Sequence, residues 1–363
     1  MKRILLTSTA LVMTAGIAAA EVSFGGDAEL KYNSVDNAAK TGDDKGMTYG
    51  VGLTVTGSMA LDNGITASLS GDIDLSQNSA DVAATTSNTF GNMNVSLSDA
   101  VFSLKSDTAS LTFGDTGTAA NTNWVSAGDM EADGFYEAND GANELATLRG
   151  DVEAGAMKAS VSYGLYGDEL EALQVFASYN FGSGTVGFAM EDGEQNQDES
   201  MGIYVKTAFS GADVTLAYAT DGTTNATSHD SMGIKVSYPV GDVIVGVYYV
   251  SEDGARGNDD NIGIDVAYTS APLKLGAYYR QEQTVDDYGF DLDYDMGNGL
   301  TLKAGYSDGL GSDQGFYVGG AYDLGGGASV SLTHVDVKTS QSDDEYFGDD
   351  DNEGTTVKLS LKF

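Results

Sequence analysis

Residues 116–144 read TGTAANTNWVSAGDMEADGFYEANDGANE and carry Asp129, Glu131, Asp133, Glu137, Asp140 and Glu144. Asp115 stands just before them, and the stretch has no basic side chain. Carboxylates at this density attract cations. Basic residues show a complementary pattern: Lys31, Lys158, Lys206, Lys235, Lys274, Arg280, Lys303 and Lys358 occupy the polar positions of alternating segments, and Arg149 follows the acidic stretch. Rows of acid and base facing each other across a narrow aqueous path would create a transverse field that orients polar solutes and holds the aperture open.

Other chemistries find little support. The two histidines are His229, in a stretch that reads as an acidic external loop, and His334, near the end of an alternating segment. Neither has an obvious partner for a nucleophile–base pair. The absence of cysteine rules out disulfides and thiolate zinc sites, and no phosphate loop or metal-binding histidine pair occurs. The tract SDDEYFGDDDNE at 342–353 has the carboxylate density of a Ca²⁺ site at Asp349, Asp350 and Asp351. It lacks the ordered spacing of a dedicated calcium loop, so a solvated acidic face is the stronger reading. No other cofactor is expected.

The elements that must carry these residues are strands. From residue 156 onward one unit recurs, as in EALQVFASYNFGSGTVGFAME (171–191), NIGIDVAYTSAPLKLGAYYR (261–280) and YGFDLDYDMGNGLTLKAGYSDG (288–309). Each has about ten alternating residues, a turn of two to four with Gly, Pro, Asn or Asp, and about ten more, which is a hairpin signature. Short turns are expected near Asp62–Gly64, Ser106–Ala109, Glu153–Gly155, Gly182–Gly184, Ser210–Ala212, Pro239–Asp242, Ser270–Pro272, Met296–Gly299 and Gly325–Gly327, with a bulge at Ser98–Ala100. Connections at the other end are mostly longer and more acidic. Two rows of aromatics flank the apolar stripe: Tyr179, Phe209, Tyr238, Tyr268, Tyr294 and Tyr322 before the turns, and Tyr218, Tyr248 with Tyr249, Tyr278 with Tyr279, and Tyr306 at the far end. Lipid-facing barrels gather aromatics at both membrane interfaces in this way.

Period-two patterning separates the faces. Val357, Leu359, Leu361 and Phe363 oppose Lys358, Ser360 and Lys362, and Tyr49, Val51, Leu53, Val55 and Met59 oppose Thr48, Thr54, Thr56 and Ser58. The second face is Gly, Ser, Thr and charge throughout and reads as wet. In hydrocarbon only a closed barrel satisfies every backbone group of a strand. The expected fold is therefore all-β: a closed antiparallel transmembrane β-barrel with an even strand number, about 20 by hairpin count. A Lys or Arg facing lipid would cost about 2–4 kcal/mol, so parity alone turns the bases inward.

Residues 1–20, with Lys2 and Arg3, an apolar run and Ala18-Ala19-Ala20, read as a cleaved secretory leader, leaving 21–363 as one domain. With 55 acidic against 17 basic residues and a net charge of −38, nucleic acid is not a partner.

These residues resemble the general diffusion porins of the Gram-negative outer membrane, in particular the alphaproteobacterial, Rhodobacter-type ones. The resemblance rests on EVSFGGDAELKYN after the leader, SLTFGDTGTA at 110–119, AYDLGGGASV at 321–330 and KLSLKF ending on Phe363. It implies a sixteen-stranded barrel in homotrimers, surrounded by lipid and lipopolysaccharide. It also implies a terminal Phe363 read by the barrel-insertion machinery and residues 116–144 folded inward as the constriction. Trp124, Phe135 and Tyr136 would anchor that loop to the wall. The implied function is passive passage of small hydrophilic solutes and ions, and the net charge points to a weak cation preference. A solute-specific channel is the alternative, since Phe176, Tyr204, Tyr248, Tyr278 and Tyr317 take inward parity and such channels line their path with aromatics.

Overall fold

The computed structural model describes residues 20–34, 46–77, 94–132, 134–135, 144–166, 169–192, 199–222, 228–254, 260–309, 314–337 and 353–363. The chain runs through β1 (Glu21–Ser34), β2 (Gly46–Ala60), β3 (Thr66–Gln77), β4 (Asn94–Lys105) and β5 (Ala109–Gly114) to a short helix, α1 (Ala119–Asn123). It continues through β6 (Glu144–Ala154), β7 (Met157–Tyr166), β8 (Glu169–Asn180), β9 (Gly184–Glu191), β10 (Glu199–Phe209), β11 (Ala212–Gly222) and β12 (Ser228–Val240). The remainder is β13 (Val243–Gly254), β14 (Asn261–Ser270), β15 (Leu273–Glu282), β16 (Val285–Asp295), β17 (Leu300–Asp308), β18 (Gly315–Gly325), β19 (Ala328–Val337) and β20 (Gly354–Lys362).

Every strand pairs antiparallel with its sequence neighbours, and β1 also pairs with β20, so twenty strands close into one ring. The ring is four strands larger than the sixteen implied by resemblance and agrees with the hairpin count. At the seam Gly26 and Phe363 exchange both backbone hydrogen bonds at 2.9 Å, which removes the last open edge. A side chain at Gly26 would collide with the Phe363 ring and with the carbonyl of Gly52. The short turns fall where turn residues predict them. Between β10 and β11, Ser210 and Gly211 both take positive φ (52° and 88°), the primed geometry that matches strand twist. The expected slip at Ser98–Ala100 is a register shift opposite Ser70 and Asp72, with Asp99 at φ 53°.

The two faces are inside-out relative to a water-soluble domain. Leu69, Val152, Leu216, Val247 and Leu332 on the outer face are 44–58% exposed, whereas Ser162, Gln174 and Ser231 on the inner face are fully buried. Outward aspartates cluster at the end of the strands away from the short turns, where tyrosines of the outer face donate to them. Tyr249 Oη donates to Asp260 at 2.6 Å and Tyr279 Oη to Asp286 at 2.9 Å, while Tyr288 and Tyr306 share Asp308. Register assigns Tyr249 and Tyr279, not Tyr248 and Tyr278, to this aromatic row, because the latter two lie opposite the inward Gly263 and Gly289. The inner face is not wet throughout. Among the described residues, a buried apolar cluster joins Ala120, Ala127, Met130, Ala132 and Phe135 to Phe176, Ala189, Tyr204, Ala217, Ala219 and Val250 of the strands.

Candidate functional site: a loop held against the inner wall

The cluster exists because the long connection between β5 and β6 turns into the barrel. Its root is held by Arg149 on β6, whose Nη1 donates to the carbonyl of Gly117 at 2.6 Å and to Thr122 Oγ1 at 3.2 Å. The Arg149 Nε pairs with Asp151 at 3.1 Å, which fixes the guanidinium plane. The open amides of α1 find wall acceptors: Ala119 donates to Ser162 Oγ at 2.8 Å, and Ala120 to Gln174 Oε1 at 2.9 Å. Trp124 then packs edge-on against Phe135 (5.3 Å) and Tyr204 (5.7 Å). Gly128, at φ +101°, lies against the Tyr248 ring so closely that a side chain there would overlap it.

The far end is clamped by a buried polar network. Glu252 of β13 accepts the Glu131 amide at 3.0 Å, the Nε2 of His229 lies 3.0 Å from its other oxygen, and Ser231 Oγ donates to that same oxygen. Ser231 Oγ in turn accepts the amide of Ala132 at 2.9 Å, and Asn261 Nδ2 donates to the carbonyl of Asp129 at 2.9 Å. His229 therefore sits in β12 with a carboxylate partner rather than in an external loop without one. Sequence position alone could not show this, because His229 and Glu252 meet only when β12 and β13 pair. The carboxylate stands between the imidazole and the Ser231 hydroxyl, so the histidine is not placed to activate the serine.

Of the sequence-predicted acids, Asp115 is exposed at the loop root, with its amide on the carbonyl of Ala100. Asp129 and Glu131 lie inside the barrel near β15. Burial pushes the Asp129 carboxyl above the usual aspartate range; the positive charge of Arg280 opposes this, and the nearby Glu131 adds to it. Glu131 also hydrogen-bonds the side chain of Glu282 at the end of β15. Glu144 is not in the loop. It opens β6, because Tyr166 of β7 extends far enough to pair with it. Asp133, Glu137 and Asp140 lie outside the described residues, as do Tyr136 and the proposed calcium ligands Asp349, Asp350 and Asp351.

All nine bases occupy inward positions of their strands, but they spread along the barrel axis. Lys158, Lys206, Lys274 and Lys303 lie toward the short-turn end, Lys31 and Arg280 toward the loop end, and Arg149, Lys235 and Lys358 near mid-strand. Lys158 pairs loosely with Glu153 at 3.7 Å, Lys303 lies opposite Asp293, and Lys31 lies opposite Lys358. Among the described loop acids, Asp129 is brought electrostatically to a wall base, Arg280, whose guanidinium lies 4.8 Å from the Tyr278 ring centroid. By strand count, the Lys31–Lys358 pair on β1 and β20 stands half a ring from β10 and β11, under the loop.

Comparison with known proteins supplies the family. The model for Gram-negative porins matches residues 7–344. The chain belongs to the Gram-negative porin family. No curated protein matches it. Among solved structures, the porin is similar to variants of the Rhodopseudomonas blastica porin. TM-scores are 0.46 at 12% identity, 0.41 at 15% and, for a triple mutant, 0.44 at 13%, each over 94% of this chain and 100% of the other. The porin is thus an outer-membrane barrel that forms a channel.

Proposed function

We propose that this porin is a general diffusion channel of the Rhodobacter type. Exported with residues 1–20 as leader, inserted through recognition of Phe363 and assembled as a trimer among lipid and lipopolysaccharide, it passes small hydrophilic solutes and ions with weak cation preference. The observation that carries this reading is the loop from Asp115 onward lying inside the barrel along one arc of the wall, from Ser162 on β7 to Asn261 on β14. A loop so placed narrows the lumen and brings Asp129 and Glu131 to the path. Arg280 on β15 stands beside Asp129, so acid and base meet at the edge of the loop.

The aromatic positions favour this over a solute-specific channel. Phe176 and Tyr204 are 3% and 6% exposed because the loop covers them, and Tyr248 lies under Gly128. Tyr278 and Tyr317 are the members left facing the lumen, each lying over a cross-strand glycine, Gly289 or Gly305. Two rings do not make a continuous track for sugar stacking. Swelling of proteoliposomes in sugars of graded size tests the reading: a sharp size cutoff without saturation is expected, and saturation by one solute would favour the specific channel.

Charge gives a second prediction. Because the Asp129 pKa is raised, its carboxylate is protonated at a higher pH than a free aspartate as pH falls. Cation preference should therefore begin to fade above the usual aspartate range. Asp129→Asn should weaken the preference at neutral pH and shrink that early phase. Reversal potentials in a KCl gradient, read across pH, would show it; an unchanged profile in Asp129→Asn would remove Asp129 from the selectivity path.

A further inference from the structure

Two glycines of the wall fit the inner loop, and their role depends on the proposed reading of that loop as the narrowest part of the channel. On β10, a Cβ added at Gly202 would lie 2.4 Å from Cη2 and 2.5 Å from Cζ3 of Trp124. On β12, a Cβ at Gly233 would lie 2.3 Å from the carbonyl oxygen of Ala127. Neither glycine has positive φ, so the backbone does not demand it. Glycine inside a strand weakens the strand, which calls for another reason at both positions. Between them on β11, Ala217 and Ala219 are 5% and 0% exposed under the same loop. On the far wall Gly50, also inward, has nothing within 4 Å of an added Cβ.

We propose that Gly202 and Gly233 set the aperture of the channel: the missing side chains let the loop lie flat on the wall, and any larger residue lifts it into the lumen. Carbon atoms settle about 3.5–4.0 Å apart, so a methyl at Gly202 forces the indole back by about 1 Å or more. The barrel wall blocks every direction but the lumen. The loop is tied on either side, at Ala120 to Gln174 and at Ala132 to Ser231, so the segment between bows inward rather than leaving.

The test is single-channel conductance in planar bilayers for wild type, Gly202→Ala, Gly233→Ala, both together, and Gly50→Ala. Each single wall variant should conduct less and exclude smaller sugars, the pair should fall to roughly half the wild-type conductance, and Gly50→Ala should match wild type. Trp124→Leu removes the ring atoms that a Cβ at Gly202 meets, so in that background Gly202→Ala should have no effect. Wild-type conductance in both single variants would overturn the proposal. So would a Gly202→Ala defect, in conductance or in barrel folding, that persists in the Trp124→Leu background. Unchanged conductance and size cutoff after deletion of residues 119–132 would instead overturn the reading of the loop as the narrowest part of the channel.

Discussion

Glu252→Leu is expected to cost about 3–5 kcal/mol and to free the far end of the inner loop. The Glu252 side chain is fully buried and holds three groups at once: the His229 ring, the Ser231 hydroxyl and the amide of Glu131. Leucine has no acceptor, so the imidazole, the hydroxyl and the amide would each lose a partner in a place water does not reach freely, and an unmade buried hydrogen bond is the expensive kind. Glu252→Gln keeps an acceptor for the amide and should cost much less. Chymotrypsin cleavage at Trp124 would report release of the loop, and bilayer recordings should show steps between conductance levels in the leucine variant. A quiet, protease-resistant Glu252→Leu channel would mean that the clamp does not hold the loop.

Val247→Arg tests the outer face. Val247 lies mid-strand on β13 between Val236 and Ile264, 44% exposed on the apolar side. An arginine there meets lipid near mid-depth and should destabilise the inserted barrel by about 2–4 kcal/mol. Gly50→Arg places the same side chain on the inner face, into open space, and should change stability by less than about 1 kcal/mol while shifting ion selectivity toward anions. Urea titration of folding into phospholipid vesicles compares the two. Equal losses would contradict the assignment of faces.

Much of this architecture is legible in the chain because strand parity is a local property. Whether Val247 and Lys235 face lipid or lumen follows from alternation alone, and the turn at Ser210–Gly211 is announced by its residues. The twenty strands were countable for the same reason, although the resemblance implied sixteen. Glu144 escaped because a strand's first residue depends on how far its partner extends, and nothing in the residues before Glu144 records the reach of β7.

Residue order alone thus specifies the elements, their two faces and the acidic character of the long connection, since each is written in neighbours two residues apart. Where that connection lies, and what holds it, emerges only in the folded ring. The seat brings together β7, β8, β10, β12, β13 and β14. Glycines such as Gly202 and Gly233 look in the chain like any weak strand position. Ring closure turns them into the floor of a channel loop, because it brings Trp124 and Ala127 onto residues far along the chain.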